Sequence, residues 1–439
     1  MEIAIIIIFN AVIFYRTIFF GLVIDDLRWH KLVSEGVFKN QSILNTIKMR
    51  FYGCGTLGTN IMVDHIFTIF LHSLACVLIY LSLGKNQISF YAALLYACNP
   101  SNNQTSIWLN GRRYLVNIIL ILTMYLIGPL GLFLYPLMSV FQVNAIFSPV
   151  LISWKFLLIS PLFLLFGNKH IIKWFNVRYN KIPIGALKEY KINRIIPVIK
   201  SYGFYFFKML SPGINLFTYE NLYYWGITKE GNDNAYKVNM EFSKGILALI
   251  LTLTIFILVP ENLKTVCLFM FLSTIQWCNI ITATQTLTDR YMSLPNVFMM
   301  FFVSYFLHTF IPQYALYVIY GLLGFYIGKI LIVMRNYNNL EDMYNYNIYF
   351  YPEGVSARSF KSSALLMERD FIAAWDVIRY GLHHKPNDFK LLFQGAICCK
   401  NFGEIKLAKD LIARAEKNYY LGQEKDLAEK LAKLKSTIS

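Results

Sequence analysis

Two adjacent carboxylates, Asp25 and Asp26, stand where the first apolar stretch of the chain ends, in Gly21-Leu-Val-Ile-Asp-Asp-Leu-Arg-Trp-His30. A carboxylate at a bilayer boundary is costly to desolvate, and a like charge beside it raises the cost. The pair is therefore a candidate for accepting a proton from an incoming hydroxyl; the plainer reading is a hydrophilic stop at a helix end. Three guanidinium groups, Arg112, Arg113 and Arg290, offer the planar, permanently charged, multi-donor contacts that suit a phosphate, although boundary arginines also anchor to headgroups. His65 and His72 lie two helical turns apart and so share a face. His65, nearer the helix start, can reach a phosphate, while the deeper His72 reads equally as a histidine satisfied by a neighbouring helix. Between Thr218 and Lys244 a loop carries Glu220, Tyr224 and Trp225. Its aromatic faces and carboxylates suit a sugar or hydroxylated acceptor, and headgroup anchoring by the aromatics is the alternative.

The elements that must position these groups are membrane helices. Of 439 residues, 56% are hydrophobic and only 15% charged, which excludes a soluble domain of this size. Apolar runs predict about eleven spans, near 3–23, 61–83, 88–99, 114–127, 129–141, 147–166, 202–217, 244–260, 264–284, 295–311 and 314–334. The first has no basic flank before it and no small-residue cleavage site after it, so it is expected to persist as a helix. From Asn168 to Lys200 eight Lys and Arg stand against Glu189 alone, which places that loop in the cytoplasm. Six spans precede it. Parity then puts the N-terminus inside, and the Asp25–Asp26 segment, the arginine loops and the C-terminal region outside. The same basic loop suits anionic headgroups better than nucleic acid, and no nucleic-acid partner is expected. The seven cysteines form no CxxC and no Cys/His cluster with metal spacing, so neither a zinc site nor a disulfide framework is indicated.

After Arg335 the composition changes, and 13 of the 25 acidic residues lie there. Residues 336–352 read as a Tyr/Asn-rich linker and 353–439 as a separate helical module. Within it, Ala374, Ile378, Gly381 and Pro386 align at a period of 34 with Ala408, Ile412, Ala415 and Tyr420, the spacing and small-residue pattern of tetratricopeptide repeats. Arg358 and Lys361 depart from it, standing where apolar residues are usual. Such a module is expected to bind an acceptor protein; an ordinary helical array is the alternative.

The stretch Asp64-His-Ile-Phe-Thr-Ile-Phe-Leu-His-Ser-Leu, the segment Ala92 to Pro100, and Gln104-Thr-Ser-Ile-Trp-Leu-Asn-Gly-Arg-Arg-Tyr-Leu115 resemble the transmembrane and tetratricopeptide-repeat protein O-mannosyltransferases and their bacterial relatives, of the GT-C superfamily. The Asp25–Asp26 pair, Asp289-Arg-Tyr-Met-Ser-Leu-Pro295 and the Phe204–Tyr224 stretch extend the similarity over most of residues 1–335. Asn99 stands where the family usually has His, and Gln104 where it often has Glu.

The resemblance implies an all-α, GT-C-like transmembrane catalytic domain and an extracytoplasmic tetratricopeptide module. It also implies an inverting glycosyltransferase using a polyprenyl-phosphate-linked sugar as co-substrate and a protein or surface glycan as acceptor. Asp25 or Asp26 would be the general base, Arg112, Arg113, Arg290 and His65 the phosphate contacts, and Glu220, Tyr224 and Trp225 the sugar or acceptor contacts. No cofactor is expected beyond that lipid, although Asp25, Asp26 and Glu220 could share a divalent ion. The membrane would be a bacterial inner membrane with the site outside, or an endoplasmic reticulum with the site in the lumen. The competing classes are a lipid-linked sugar carrier, given the intramembrane cations Arg16 and Lys155, and a membrane-anchored assembly factor.

Overall fold

The computed structural model describes residues 1–23, 26, 60–135, 138, 143–159, 195–213, 242–280, 288–350, 352, 354–418 and 425–437. Every regular element among them is helical, as the apolar runs and the absence of alternating patterns require. Five helical stretches are long and apolar enough to cross a membrane: Glu2–Phe19, Ile61–Ser82, Arg112–Leu134, Asp289–Phe310 and Ala315–Asn336.

Helix α1 (Glu2–Phe14) runs on through a 3-10 turn at Tyr15–Phe19. It is apolar on all sides: Ile6, Ile13 and Phe14 are buried, while Ile5, Ile7, Ile8 and Val12 face outward, as a helix against hydrocarbon requires. Helix α2 (Ile61–Ser82) packs against α1, α3 (Gln87–Cys98) and α4 (Arg112–Ile127). The segment expected to span at 88–99 is α3. Its twelve residues cover about 18 Å of a hydrocarbon layer about 30 Å thick, and from Tyr91 to Cys98 it is buried throughout, so it is a core helix enclosed by others. The next expected spans, 129–141 and 147–166, are 3-10 turns in their described parts, Gly128–Leu134, Val143–Leu151 and Trp154–Ile159. Gly128 takes φ +65° and closes α4. A Cβ on Gly131 would strike the Met124 backbone, so the chain there folds back on α4.

Helices α5 (Ile195–Leu210), α6 (Phe242–Leu258), α7 (Glu261–Ile275), α8 (Ser293–Phe310) and α9 (Ala315–Asn336) complete the bundle. Helix α5 pairs with α6, α7 with α8, and α8 and α9 both lie on α3. One continuous apolar core runs through α1 to α9.

The segment expected as a linker contains helix α10 (Leu340–Phe350), whose Met343 and Tyr344 are buried in that same core. Tyr344 stacks parallel on Phe360 at 6.3 Å, joining the bundle to α11 (Val355–Met367). Helices α12 (Phe371–His384), α13 (Phe389–Asn401), α14 (Ile405–Lys417) and α15 (Lys425–Ser436) follow. Contacts join α11 to α12, α12 to α13, α13 to α14, and α11 to α13. Asp370 and Asp388 cap α12 and α13 by accepting from Ala373 N and Leu391 N, both at 3.0 Å. The first three positions aligned at a period of 34 are buried in both hairpins, Ala374, Ile378 and Gly381 in one and Ala408, Ile412 and Ala415 in the other, while Pro386 is exposed and Tyr420 lies outside the described residues. The departing Arg358 is also buried, with its guanidinium 4.6 Å from the Tyr380 ring centroid and donating to Gly354 O. Lys361 reaches Asn345 Oδ1 at 2.7 Å.

Candidate functional site

At one end of the bundle the chain places polar groups where the helix ends meet. Asn60 caps α2, its side chain accepting from Met62 N and Val63 N, and the first turn that follows turns Asp64 and His65 inward, both buried. Arg112, the first residue of α4, points back at them. Its Nη1 lies 2.9 Å from Asp64 Oδ1, its Nε donates to Thr68 Oγ1 at 2.8 Å, and its Nη2 donates to Asp64 O. Both charges are almost wholly out of solvent, so each is the other's replacement for water. The positive charge of Arg112 also acts on Asp26, which is buried beyond the end of α1 with its N–H on Val23 O at 3.0 Å. Asp26, Arg112 and Asp64 thus form a line of alternating charge.

His65 lies beside this line. It meets the Phe20 ring edge-on at 6.4 Å, bonds the Phe20 backbone and feels the Arg112 charge. Its Nε2 is buried with no hydrogen-bond partner in the structure. His72, deeper in α2, bonds Ala97 O through Nε2 at 3.1 Å between the rings of Phe14 and Tyr96. It has the structural partner expected of a buried histidine.

The segment between α3 and α4 is the hub of this end. Asn99 to Ser106 are all buried, and seven of those eight residues carry amide or hydroxyl side chains, with Pro100 the apolar one among Asn, Ser, Gln and Thr. Buried polar groups in such numbers must find partners. Asn99 Nδ2 donates to Met209 O at 2.9 Å, and Ser101 Oγ to Lys208 O at 3.0 Å, which ties the end of α5. Asn296 Nδ2 of α8 donates to Asn102 Oδ1 at 3.1 Å. Gly111 lets this segment close on itself: a Cβ there would meet Thr105 Cα at 2.8 Å.

Arg290 stands at the start of α8, in the 3-10 turn Asp289–Met292. Its guanidinium lies 5.4 Å from the Trp108 ring and 5.5 Å from that of Tyr291. Tyr291 in turn stacks on Trp277 at 3.9 Å. Gln104 Oε1 accepts from Thr288 Oγ1 at 2.7 Å and from Arg290 Nη1 at 3.5 Å. Beside it Lys208 Nζ and Asp289 Oδ1 form a second buried ion pair at 2.7 Å. Arg113 is half-buried, its guanidinium 5.3 Å from the Tyr114 ring.

The structure therefore gathers Asp26, His65, Arg112 and Arg290 at one end of the helices, with Arg113 beside Arg112. Asp25, Glu220, Tyr224 and Trp225 lie outside the described residues, as does most of the loop between Thr218 and Lys244. Among the described residues no three His, Cys, Asp or Glu side chains are arranged to hold a metal. Sequence reasoning assigned no role to Asp64, Lys208 or Asp289. For Asp64 and Lys208 the signal was a charge inside an otherwise apolar stretch, the same signal that marked Asp25 and Asp26, whereas Asp289 follows a Thr- and Gln-rich run that hides it.

Chemically, this end supplies a buried carboxylate within the field of a cation, and guanidinium groups stacked on aromatic rings. The chain matches no known protein family, no curated protein and no solved structure.

Proposed function

We propose that the chain is a GT-C-type membrane glycosyltransferase that moves a sugar from a polyprenyl-phosphate carrier to a hydroxyl of a protein or surface-glycan acceptor, outside the cytoplasm, with inversion. The observation that carries this reading is the convergence of Asp26, the Asp64–Arg112 pair, His65 and Arg290 at one end of a bundle of apolar helices. A reaction between a lipid-borne phosphate and a polar acceptor needs a base and cations together at a membrane boundary.

In the proposed reaction the acceptor oxygen attacks the anomeric carbon and gives its proton to an Asp carboxylate of the first outer segment. The bond from that carbon to the phosphate oxygen breaks, and polyprenyl phosphate leaves with the negative charge. Asp26 is buried within the field of the Arg112 charge. Arg112 is held on Asp64 and Thr68, which fixes that charge in place. Arg290 and Arg113, with guanidinium groups laid over aromatic rings, suit the leaving phosphate, and the unpartnered Nε2 of His65 offers a further contact. Glu220, Tyr224 and Trp225 complete the proposal on the sugar or acceptor side.

The remaining expected spans, with the short enclosed α3 counted as the crossing that returns the chain from the end of α2 to the Asn99–Ser106 hub, bring the count to about eleven, and the hairpins from α11 to α14 are read as two tetratricopeptide repeats that present the acceptor. The small buried residues at a 34-residue period support that reading. Purified protein in liposomes, given a radiolabelled polyprenyl-phosphate sugar and acceptor peptide, tests it: transfer is expected from the wild type and not from the Asp25→Ala/Asp26→Ala double variant.

A further inference from the structure

We infer that Lys208 is a positioning residue for Arg290: by pinning Asp289 across the gap between α5 and the start of α8, it sets the direction in which the Arg290 guanidinium points. This rests on the reading of Arg290 as a contact for the phosphate of a lipid-linked donor.

Three consecutive residues, Thr288, Asp289 and Arg290, lead into α8, and side chains from elsewhere hold each of them. Gln104 Oε1 takes the Thr288 hydroxyl at 2.7 Å and one Arg290 nitrogen at 3.5 Å. Asp289 is held on both oxygens, by Lys208 Nζ on Oδ1 at 2.7 Å and by Asn103 Nδ2 on Oδ2 at 3.1 Å. Lys208 is itself fixed from two directions. Its carbonyl accepts from Ser101 Oγ at 3.0 Å, and its ammonium lies 5.4 Å from the Phe204 ring.

The carboxylate is completely buried and the ammonium nearly so. A buried pair of this kind recovers little net stability over apolar residues of the same shape, because desolvation offsets the attraction. What it does supply is direction. A carboxylate gripped at both oxygens cannot rotate, so the backbone of the turn that carries Arg290 is fixed relative to α5 and to the Asn103–Gln104 step. Arg290, which also bonds the side chains of Tyr114 and Tyr291 and lies over the Trp108 ring, is then aimed from a turn that is itself held in place. The lysine cannot serve the same phosphate in Arg290's place without giving up Asp289.

The test is binding of a long-chain polyprenyl phosphate to the full chain in nanodiscs, with unphosphorylated polyprenol as the control. Arg290→Ala is expected to weaken binding about tenfold or more, the loss of one charge-assisted contact set. The paired neutral variant Lys208→Met/Asp289→Asn strands neither member of the pair as a lone charge. It is expected to weaken phosphate binding to a similar degree at an unchanged melting temperature, and Lys208→Arg to retain most of it. If that paired variant fails to fold, Asn103→Ala, which loosens one side of Asp289, is expected to weaken phosphate binding severalfold. Wild-type affinity in the folded neutral variant or in Asn103→Ala, alongside a loss in Arg290→Ala, overturns the positioning role and leaves the donor reading standing. Wild-type protein that binds polyprenyl phosphate no better than polyprenol overturns both.

Discussion

Arg112 illustrates what a single residue's surroundings decide. Read from sequence, it is one of three arginines available to a phosphate; in the fold its donors are taken by Asp64 and Thr68, across 48 positions of chain. The charge was legible because an arginine beside an apolar run stands out, but its partner was not, since pairing across two helices leaves no local spacing to read. Removing one member of a buried pair strands the other, so Asp64→Ala is expected to lower stability by about 3–5 kcal/mol, against near neutrality for a paired apolar replacement. Chemical denaturation in detergent measures both, and a loss below about 1 kcal/mol in Asp64→Ala would contradict the clamp. In the C-terminal module, burial pushes the Cys398 thiol up to about 12 and raises that of Cys399. The folded thiol of Cys398 stays protonated at pH 8, so alkylation there should require unfolding. The sign for stability follows: the unfolded thiol ionises near pH 8.5 to 9 and the folded one does not, so this residue's contribution falls as pH rises above about 9. Rapid labelling of folded protein at pH 8 would contradict the burial.

At the scale of elements, hydropathy found the helices and missed their lengths. Residues 88–99 are apolar enough for a span, yet α3 is short and enclosed by α2, α8 and α9; an apolar run reports burial and cannot say whether protein or lipid does the burying. The reverse error concerns residues 336–352, where Tyr and Asn dilute the apolar signal and suggest a linker. Helix α10 nonetheless turns Met343 and Tyr344 into the core, so the C-terminal module is attached through a packed element. The pairing of α5 with α6 depends on two glycines: a Cβ on Gly203 would meet Gly245 N at 2.6 Å and Gly245 Cα at 2.7 Å. Gly203→Val is therefore expected to push the helices apart at a cost of about 1–3 kcal/mol. A lowered melting temperature relative to an exposed control such as Gly324→Val, where nothing lies within 4 Å, is the readout; equal melting of the two variants would contradict the close crossing.

For the whole molecule, the site groups and the start of the C-terminal module belong to the same end of the bundle: Gly21, just after α1, bonds Asn338 O just after α9 at 2.9 Å, and Asp26 lies five residues farther on. The proposed topology makes a reporter at the C-terminus accessible from outside the cell and one within 168–200 inaccessible; the opposite pattern would invert the orientation. The proposal also expects deletion of 353–439 to abolish transfer to a protein acceptor. General membrane character and the charged candidates were legible in the sequence because both are local properties. The hub from Asn99 to Ser106 was not legible in this way, since its meaning lies in contacts to α5 and α8. The central claim, that an Asp of the first outer segment takes the acceptor's proton, meets its most direct test in sugar transfer by proteoliposomes. The account predicts that Asp26→Ala or Asp25→Ala, and the double variant in any case, reduces transfer to background while the protein folds and still binds polyprenyl phosphate. Undiminished transfer by all three variants would contradict it.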